Sequence, residues 1–529
     1  MKALRKTLAI LLSAALAPSL YPADPKTVNP KIQEMIEKVS ETRIHDILAK
    51  LESFGTRNTM SNQDDPAQGI GAARTWIYNE FKSYSPRLQV SFDKYRVKKQ
   101  GQRIFKDVDL WNVVAVLPGT RHPETQIVVS GHYDSLNLGN RRPGTPAGPG
   151  TDGAAAGGGA GAGAAADGAF SGGFAGGATA NMTPADFEKN ANLPAPGVCD
   201  DGSGTANVME LARVMSQYEF EKTLVFVAFA GEEQGLIGSS LFAAKAHKEN
   251  QVIEAVINSD IIGTDVAGNG RTGNSAVSIY SDETMDSISQ QLSRYVKDAG
   301  ERYLPGFHVN TIFMGDRLGR GGDHTPFQWE GFAAVRVSTP NEIYANQHRA
   351  TDTLANMSVP YTTKVARLNL AVAASLALAP KPPVVMPEPR ANQGQNAGRG
   401  TSADAAPAPE GGRAAGRGTT PGGTPGTAGG GRRPGPMIAR GSGYDAVLRW
   451  RTVGGDSDIK GYSIVMRATT APFWEQEIYV GKVNTFTLKD VSIDDVKLGV
   501  KAIGENGGES LVAAYVYPPR QHTEIQVVQ

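Results

Sequence analysis

The stretch Thr223 to Ser240, TLVFVAFAGEEQGLIGSS, constrains this chain more than any other. From Thr223 to Ala230 it is an unbroken apolar, β-branched and aromatic run, which reads as a strand buried on both faces. Such strands belong to parallel sheets covered on each side by helices. The run stops at Gly231, and two adjacent carboxylates, Glu232 and Glu233, follow at once. Burying one carboxylate is costly and burying two together costlier, so the pair is either a solvated turn or a site with a cation or a catalytic task.

The neighbouring patterns decide the fold class. Ile44, Ile47, Leu48 and Leu51 recur at helical spacing, and Ala73 to Tyr84 does the same with Trp76 and Phe81; FGTRN at Phe54 to Asn58 separates the two. Leu88 to Tyr95, Asn112 to Pro118 and Gln126 to Ser130 read as strands, the last running into GHYDS. Val208, Leu211, Ala212 and Met215 share one helical face behind CDDGSG. Later come a helix over Gly238 to His247, a strand over Val252 to Asn258, a helix over Met285 to Ala299, a strand over Ala333 to Ser338 and a closing helix over Tyr361 to Leu378. Strands alternating with helices make an α/β sandwich, in which sites gather at the carboxyl ends of the strands.

The rest of the chain divides by composition. Lys2, Arg5 and Lys6 precede an apolar run from Leu8 to Leu16, the order of a secretory signal peptide over residues 1–23, so an exported protein, periplasmic or extracellular, is expected. No apolar run is long enough to cross a bilayer. Gly and Ala fill 23 of the 30 positions from 151 to 180, which leaves no side chains for a core; residues 143–183 read as an insertion in a surface loop of a domain spanning 25–379. Residues 380–443, rich in Pro, Gly and Arg, read as a disordered linker. Short alternating segments over 444–520, separated by GGDSD and ENGG, read as a small β-sandwich. With Trp450, GYSIV and KLGVKAIGENGGES it resembles a fibronectin type III domain. It carries no acid, base or metal cluster, so a spacing or adhesion role, with surface or matrix contact, is expected, and its deletion is expected to leave the kinetics intact.

Lys plus Arg and Asp plus Glu each number 53, so no global charge points to nucleic acid or an acidic membrane. The single cysteine, Cys199, excludes an intrachain disulfide.

The polar residues at strand ends and in the loops after them are His132, Asp134, Asp200, Glu232, Glu233, Asp260 and His348. Two His with several carboxylates and few sulfurs suit a borderline divalent ion such as zinc in a hydrolytic role. On GHYDS, CDDGSG, AGEEQGLIGS, NSDIIG, GDHTPF and QHRATDT, residues 40–378 resemble the aminopeptidases with two co-catalytic zinc ions, relatives of glutamate carboxypeptidase and the transferrin receptor ectodomain.

That resemblance implies a three-layer α/β/α fold with a mixed, mostly parallel sheet, two Zn²⁺ per chain and peptide or protein substrates. It implies that Asp200 bridges both metals, that His132 and Asp260 complete one site, and that Glu233 and His348 complete the other. Glu232 would be the general base and Asp134 the partner of the His132 imidazole. It also implies a cis peptide between Asp200 and Asp201, and substrate-pocket roles for Asp323 and His324. The family often has Tyr before its last ligand, where this chain has Gln347. Alternatives on the same fold are a glutaminyl cyclase, a carboxypeptidase, or a noncatalytic binding scaffold.

Overall fold

A computed structural model describes residues 28–139, 182–317, 320–387, 437–440, 444–455 and 457–516. The signal-peptide segment, nearly all of the Gly/Ala-rich insertion and most of the linker lie outside the described residues.

Eight strands form one sheet: β1 (Gln89–Val97), β2 (Val108–Leu117), β3 (His122–His132), β4 (Lys222–Phe229), β5 (Val252–Ser259), β6 (Ala276–Tyr280), β7 (His308–Ile312) and β8 (Ala334–Ser338), in the order β1-β2-β4-β3-β5-β8-β6-β7. The four central strands β4, β3, β5 and β8 run parallel, β1 and β2 pair antiparallel at one edge, and β6 is antiparallel to β8 at the other. This is the expected mixed sheet.

Every residue of β4 is buried. Side chains alternate across a strand, so Leu224, Phe226 and Ala228 enter one apolar core while Val225, Val227 and Phe229 enter the opposite one. Each large side chain so buried stabilises the fold by about 1.5–3 kcal/mol. The first core is closed by α1 (Pro30–Glu37), α2 (Glu41–Ser53), α3 (Gly69–Tyr84), α5 (Ser203–Met215), α7 (Ile288–Tyr303) and α9 (Val359–Leu378). The second is closed by α6 (Ile237–Lys248) and α8 (His324–Trp329), which supply Ala243, Ala246 and Phe327. A short α4 (Pro184–Asn190) flanks the sheet's carboxyl end, where its Phe187 packs on Leu136 and Leu138. The result is a three-layer α/β/α sandwich.

The C-terminal sandwich pairs β10 (Ala439–Arg440), β11 (Ala446–Arg451) and β14 (Thr485–Leu488) in one sheet, and β12 (Ile459–Ala468), β13 (Gln476–Gly481), β15 (Val496–Gly504) and β16 (Ala513–Ala514) in the other. Its core is centred on Trp450 and Tyr462, whose rings meet edge-on at 5.5 Å. Within the stretch whose composition predicts linker, β9 (Val384–Val385) pairs with Trp450 and Arg451. A two-residue strand has no periodicity to betray it. The periodicity predicts a helix from Met285, but α7 starts at Ile288 on a Ser287 cap and Asp286 turns aside with φ 59°. Trp474, expected to open a strand, stands in the loop before β13 and donates its indole N–H to Gln291.

Candidate metal centre

The parallel strands deliver their last residues to one place. His132 ends β3, Asp260 directly follows β5, and Glu232 and Glu233 come just after β4. Asp200 enters from the tight turn Val198–Gly202 that leads into α5, and the peptide between Asp200 and Asp201 is cis. His348, at φ 55°, arrives from the long connection between β8 and α9.

Two groups of donor atoms share Asp200: His132, Asp200 and Asp260 form one, and Asp200, Glu233 and His348 the other. His132 Nε2 is 3.4 Å from Asp200 Oδ1, while His348 Nε2 lies 3.3 Å from Asp200 Oδ2 and 3.0 Å from Glu233 Oε2. Donors held tetrahedrally by bonds of about 2.0–2.1 Å are about 3.3–3.4 Å apart. His132 Nε2 and Glu233 Oε1 are buried without a hydrogen-bond partner among the described residues, a costly arrangement that a shared cation would relieve. Nitrogen and oxygen donors without sulfur suit zinc. The residues therefore fit two zinc ions.

The electrostatics have the same sign. Burial alone would depress the His132 imidazole, but Glu232, Asp134 and Asp200 outweigh it and hold its pKa well above the ordinary value. His348 is likewise raised to about 9, against burial, by Glu233 and Asp200. Glu232 is pushed well up by burial and by the neighbouring Glu233, Asp260 and Asp323. Such a cage attracts positive charge. Glu232 is also the most open of these carboxylates, its side chain 12 % exposed against 4 % for Glu233, with Oε2 at 3.9 Å from His132 Nε2.

Asp134 does more than its expected task. His132 Nδ1 is nearest the Asp134 main-chain carbonyl, at 3.1 Å, with the carboxylate at 3.5 Å. That carboxylate accepts the Glu232 and Glu233 backbone N–H groups at 3.3 and 3.2 Å and the Thr59 hydroxyl at 3.2 Å, so it ties the end of β3 to the paired Glu. Asp323 and His324, expected to shape the substrate pocket, have no accessible surface. His324 Nε2 meets the Gly315 carbonyl at 2.6 Å, and both Asp323 oxygens are buried without a hydrogen-bond partner among the described residues. Both therefore stand inside the protein close to Asp260, with His324 Nδ1 and Asp260 Oδ2 both within 3.4 Å of where a Cβ on Gly322 would stand.

Several positioning residues escaped the sequence reading. Asp201 accepts the N–H groups of His132, Gly204 and Ile261, which joins β3, β5 and the start of α5 through one carboxylate. Asp352 accepts from Cys199 and Asp200 at 2.9 and 3.0 Å and is raised to about 7 by burial. Arg57, in FGTRN, is fully buried and donates to the carbonyls of Leu51, Tyr133, Pro196 and Gly197, which clamps the loops bearing His132 and Asp200. Arg336, on β8, meets Asp260 at 2.9 Å and Asp316 at 2.7 Å. Asp201 is the second acidic residue of CDDGSG and Asp352 the only one of QHRATDT, so both carry a signal in the motifs. Carbonyl-binding arginines carry none. The Cys199 thiol is buried and pushed well above its usual pKa, so it is a packed, protonated side chain. Gln347 is engaged by Glu342 and Arg320.

The second glycine of CDDGSG has a steric reason. A Cβ on Gly204 would stand 2.1 Å from the Ser259 carbonyl oxygen and 2.3 Å from Asp201 Oδ2. Gly204→Ala is expected to displace Asp201 and so disturb His132 and Asp260 together, lowering stability by about 1–3 kcal/mol as overpacking does. Denaturant unfolding beside zinc content checks this; an unchanged midpoint with full zinc would refute it.

A sequence profile of peptidase family M28 matches residues 180–373, which include Asp200, Glu232, Glu233, Asp260 and His348 but not His132. A protein of Pyricularia oryzae described as a probable zinc metalloprotease is 31% identical over 515 residues, covering 90% of this chain and 83% of that one. The chain belongs to peptidase family M28. A probable zinc metalloprotease of Leptosphaeria maculans is 29% identical, over 92% of this chain and 97% of its own. Among solved structures, the LapA aminopeptidase of Legionella pneumophila aligns with 69% of this chain and 78% of its own at 18% identity and a TM-score of 0.45. A glutaminyl cyclase of Fimbriiglobus ruber aligns with 64% of this chain and 95% of its own at 17% identity and a TM-score of 0.44. As an M28 chain with two donor clusters about a shared aspartate, this protein is a zinc-dependent metallopeptidase.

Proposed function

We propose that the protein is an exported aminopeptidase that removes the N-terminal residue of peptides, with residues 25–379 as its peptidase unit. The observation that carries the reading is Asp200 standing between His132 and His348, with Glu232 open beside them. His132, Asp200 and Asp260 would hold one zinc ion, and Asp200, Glu233 and His348 the other. When bound, the two ions would supply Lewis acidity toward water and the scissile carbonyl. Glu232 would take a proton from the attacking water as the new C–O bond forms, and return it to the amine nitrogen as the C–N bond breaks. Asp134, through the backbone N–H groups of Glu232 and Glu233, fixes where that carboxylate points.

Export rests on the basic and apolar N-terminal sequence; no helix among the described residues is long and apolar enough to cross a membrane. The test compares one peptide with a free and with an acetylated N-terminus, alongside a panel of amino-acyl anilides and the zinc content of dialysed protein. About two zinc per chain, release of the first residue from the free peptide alone and loss of turnover on chelation are expected. Equal cleavage of the blocked peptide would sink the aminopeptidase reading. Ring closure of an N-terminal glutamine with one zinc per chain would replace it with the cyclase.

A further inference from the structure

A domain tethered only as a spacer has no reason to bury charged side chains against its neighbour. The sandwich does so. Arg467 of β12, its side chain 3 % exposed, donates to Asp286 at 2.7 Å, and Arg294 of α7 lies 3.4 Å from the same carboxylate oxygen. Arg467 also donates to the carbonyls of Ala468 and Ala471, which orders the loop before β13. Arg294 donates to the Pro472 carbonyl at 2.7 Å. Elsewhere on the contact, His122 Nε2 meets Asp458 Oδ2 at 2.9 Å; that is a direct hydrogen-bond distance, so these two satisfy each other without an ion.

The loop so ordered presents Phe473 to Phe313, ring to ring at 6.5 Å, with the Arg294 guanidinium 4.8 Å from the Phe313 ring. Phe313 opens a segment that leads straight to the metal centre. Gly315 donates its N–H to Glu283 and accepts from His324. Asp316 holds Arg336 at 2.7 Å, and Arg336 holds Asp260 at 2.9 Å. Side-chain exposures of 1 %, 2 % and 3 % for Asp316, Arg336 and Asp260 leave no water to take over if one partner moves. Arg336 also donates to the Gly321 carbonyl at 2.8 Å, and Asp316 also meets Arg317 at 3.0 Å. A buried charge that loses one of its partners is destabilised, so the position of residues 313–317 bears on the Asp260 carboxylate.

We propose that the C-terminal sandwich is a positioning element of the catalytic centre: Arg467 and Phe473 hold the segment 313–317, whose Asp316 sets Arg336 on Asp260. This is a role beside the spacing or adhesion role expected from the sequence. Its kinetic consequence rests on the metallopeptidase centre described above, whereas the order of the segment does not.

The experiment uses the full chain. Phe473 is half-buried, so Phe473→Ala is expected to fold; Phe473→Leu is the conservative control. Hydrogen–deuterium exchange over residues 313–317 is expected to quicken in Phe473→Ala, with kcat lower by about tenfold, KM little changed and zinc lost sooner on dialysis, since small misplacements of catalytic groups are felt strongly. Phe473→Leu is expected to recover most of each. Arg467→Lys, which keeps the charge but loses the fork, is expected to fall between. Unchanged exchange in Phe473→Ala, or a stability loss with kcat and zinc retention at wild-type values, would overturn the proposal. If the wild type itself cleaves no peptide, the functional reading fails, and the exchange result still decides whether the sandwich holds the segment.

Discussion

Replacing Glu232 with Gln is expected to lower kcat about 10²–10⁴-fold, the usual span for a lost general base. The amide keeps the size of the side chain and removes its ability to take a proton. Glu232 belongs to neither group that shares Asp200; it comes together with His132 and Glu233 instead, its nearest oxygen 3.9 Å from His132 Nε2, and Gln keeps an oxygen there. Zinc content should therefore stay at the wild-type value while turnover falls. The pairing of these readouts separates the base from a ligand: a ligand's loss lowers both, a base's loss only the rate. Steady-state hydrolysis of an amino-acyl anilide, with metal analysis on the same preparation, makes the comparison. Undiminished turnover would remove Glu232 from the mechanism even in an active peptidase.

What could be read from the chain follows from how locally each feature is encoded. The alternating fates of Leu224 to Phe229 are fixed by a two-residue period, so β4 and its two cores were visible at once. The donor residues were visible because strand ends carry short polar motifs. Strands β6 and β7, the last two on one side of the sheet, do not stand out in the sequence; β7 at the edge carries His308, Asn310 and Thr311 among its five residues, too little apolar pattern to separate it from a loop. Arg57 and Arg336 were missed for another reason. Their partners are backbone carbonyls and carboxylates brought near only by the finished fold. The docking of the sandwich is a further case, with Arg467 and Asp286 181 positions apart and His122 and Asp458 336 apart. Nothing in either local pattern names the other.

Asp200 offers the sharpest test of the metal centre, because two sites depend on one side chain. Its carboxylate is held well below the usual range, against burial, by the imidazoles of His132 and His348, one on each oxygen. Asp200→Asn keeps the shape but removes the charge and gives one of those imidazoles a poor partner. Even residues one shell out from a metal change its affinity by about 10–100-fold. A carboxylate shared by two sites is expected to cost more than that at each, so dialysed Asp200→Asn should retain neither zinc. His348→Ala, which touches one group only, should retain the ion of the other. Heat provides a second readout. Zinc at 100 times its dissociation constant stabilises the folded chain by about 2.7 kcal/mol per site, so added zinc should raise the wild-type melting temperature and leave Asp200→Asn unmoved. If Asp200→Asn instead bound both ions at wild-type affinity, Asp200 would be a scaffold for the two histidines, and the shared-ligand geometry would have to be given up.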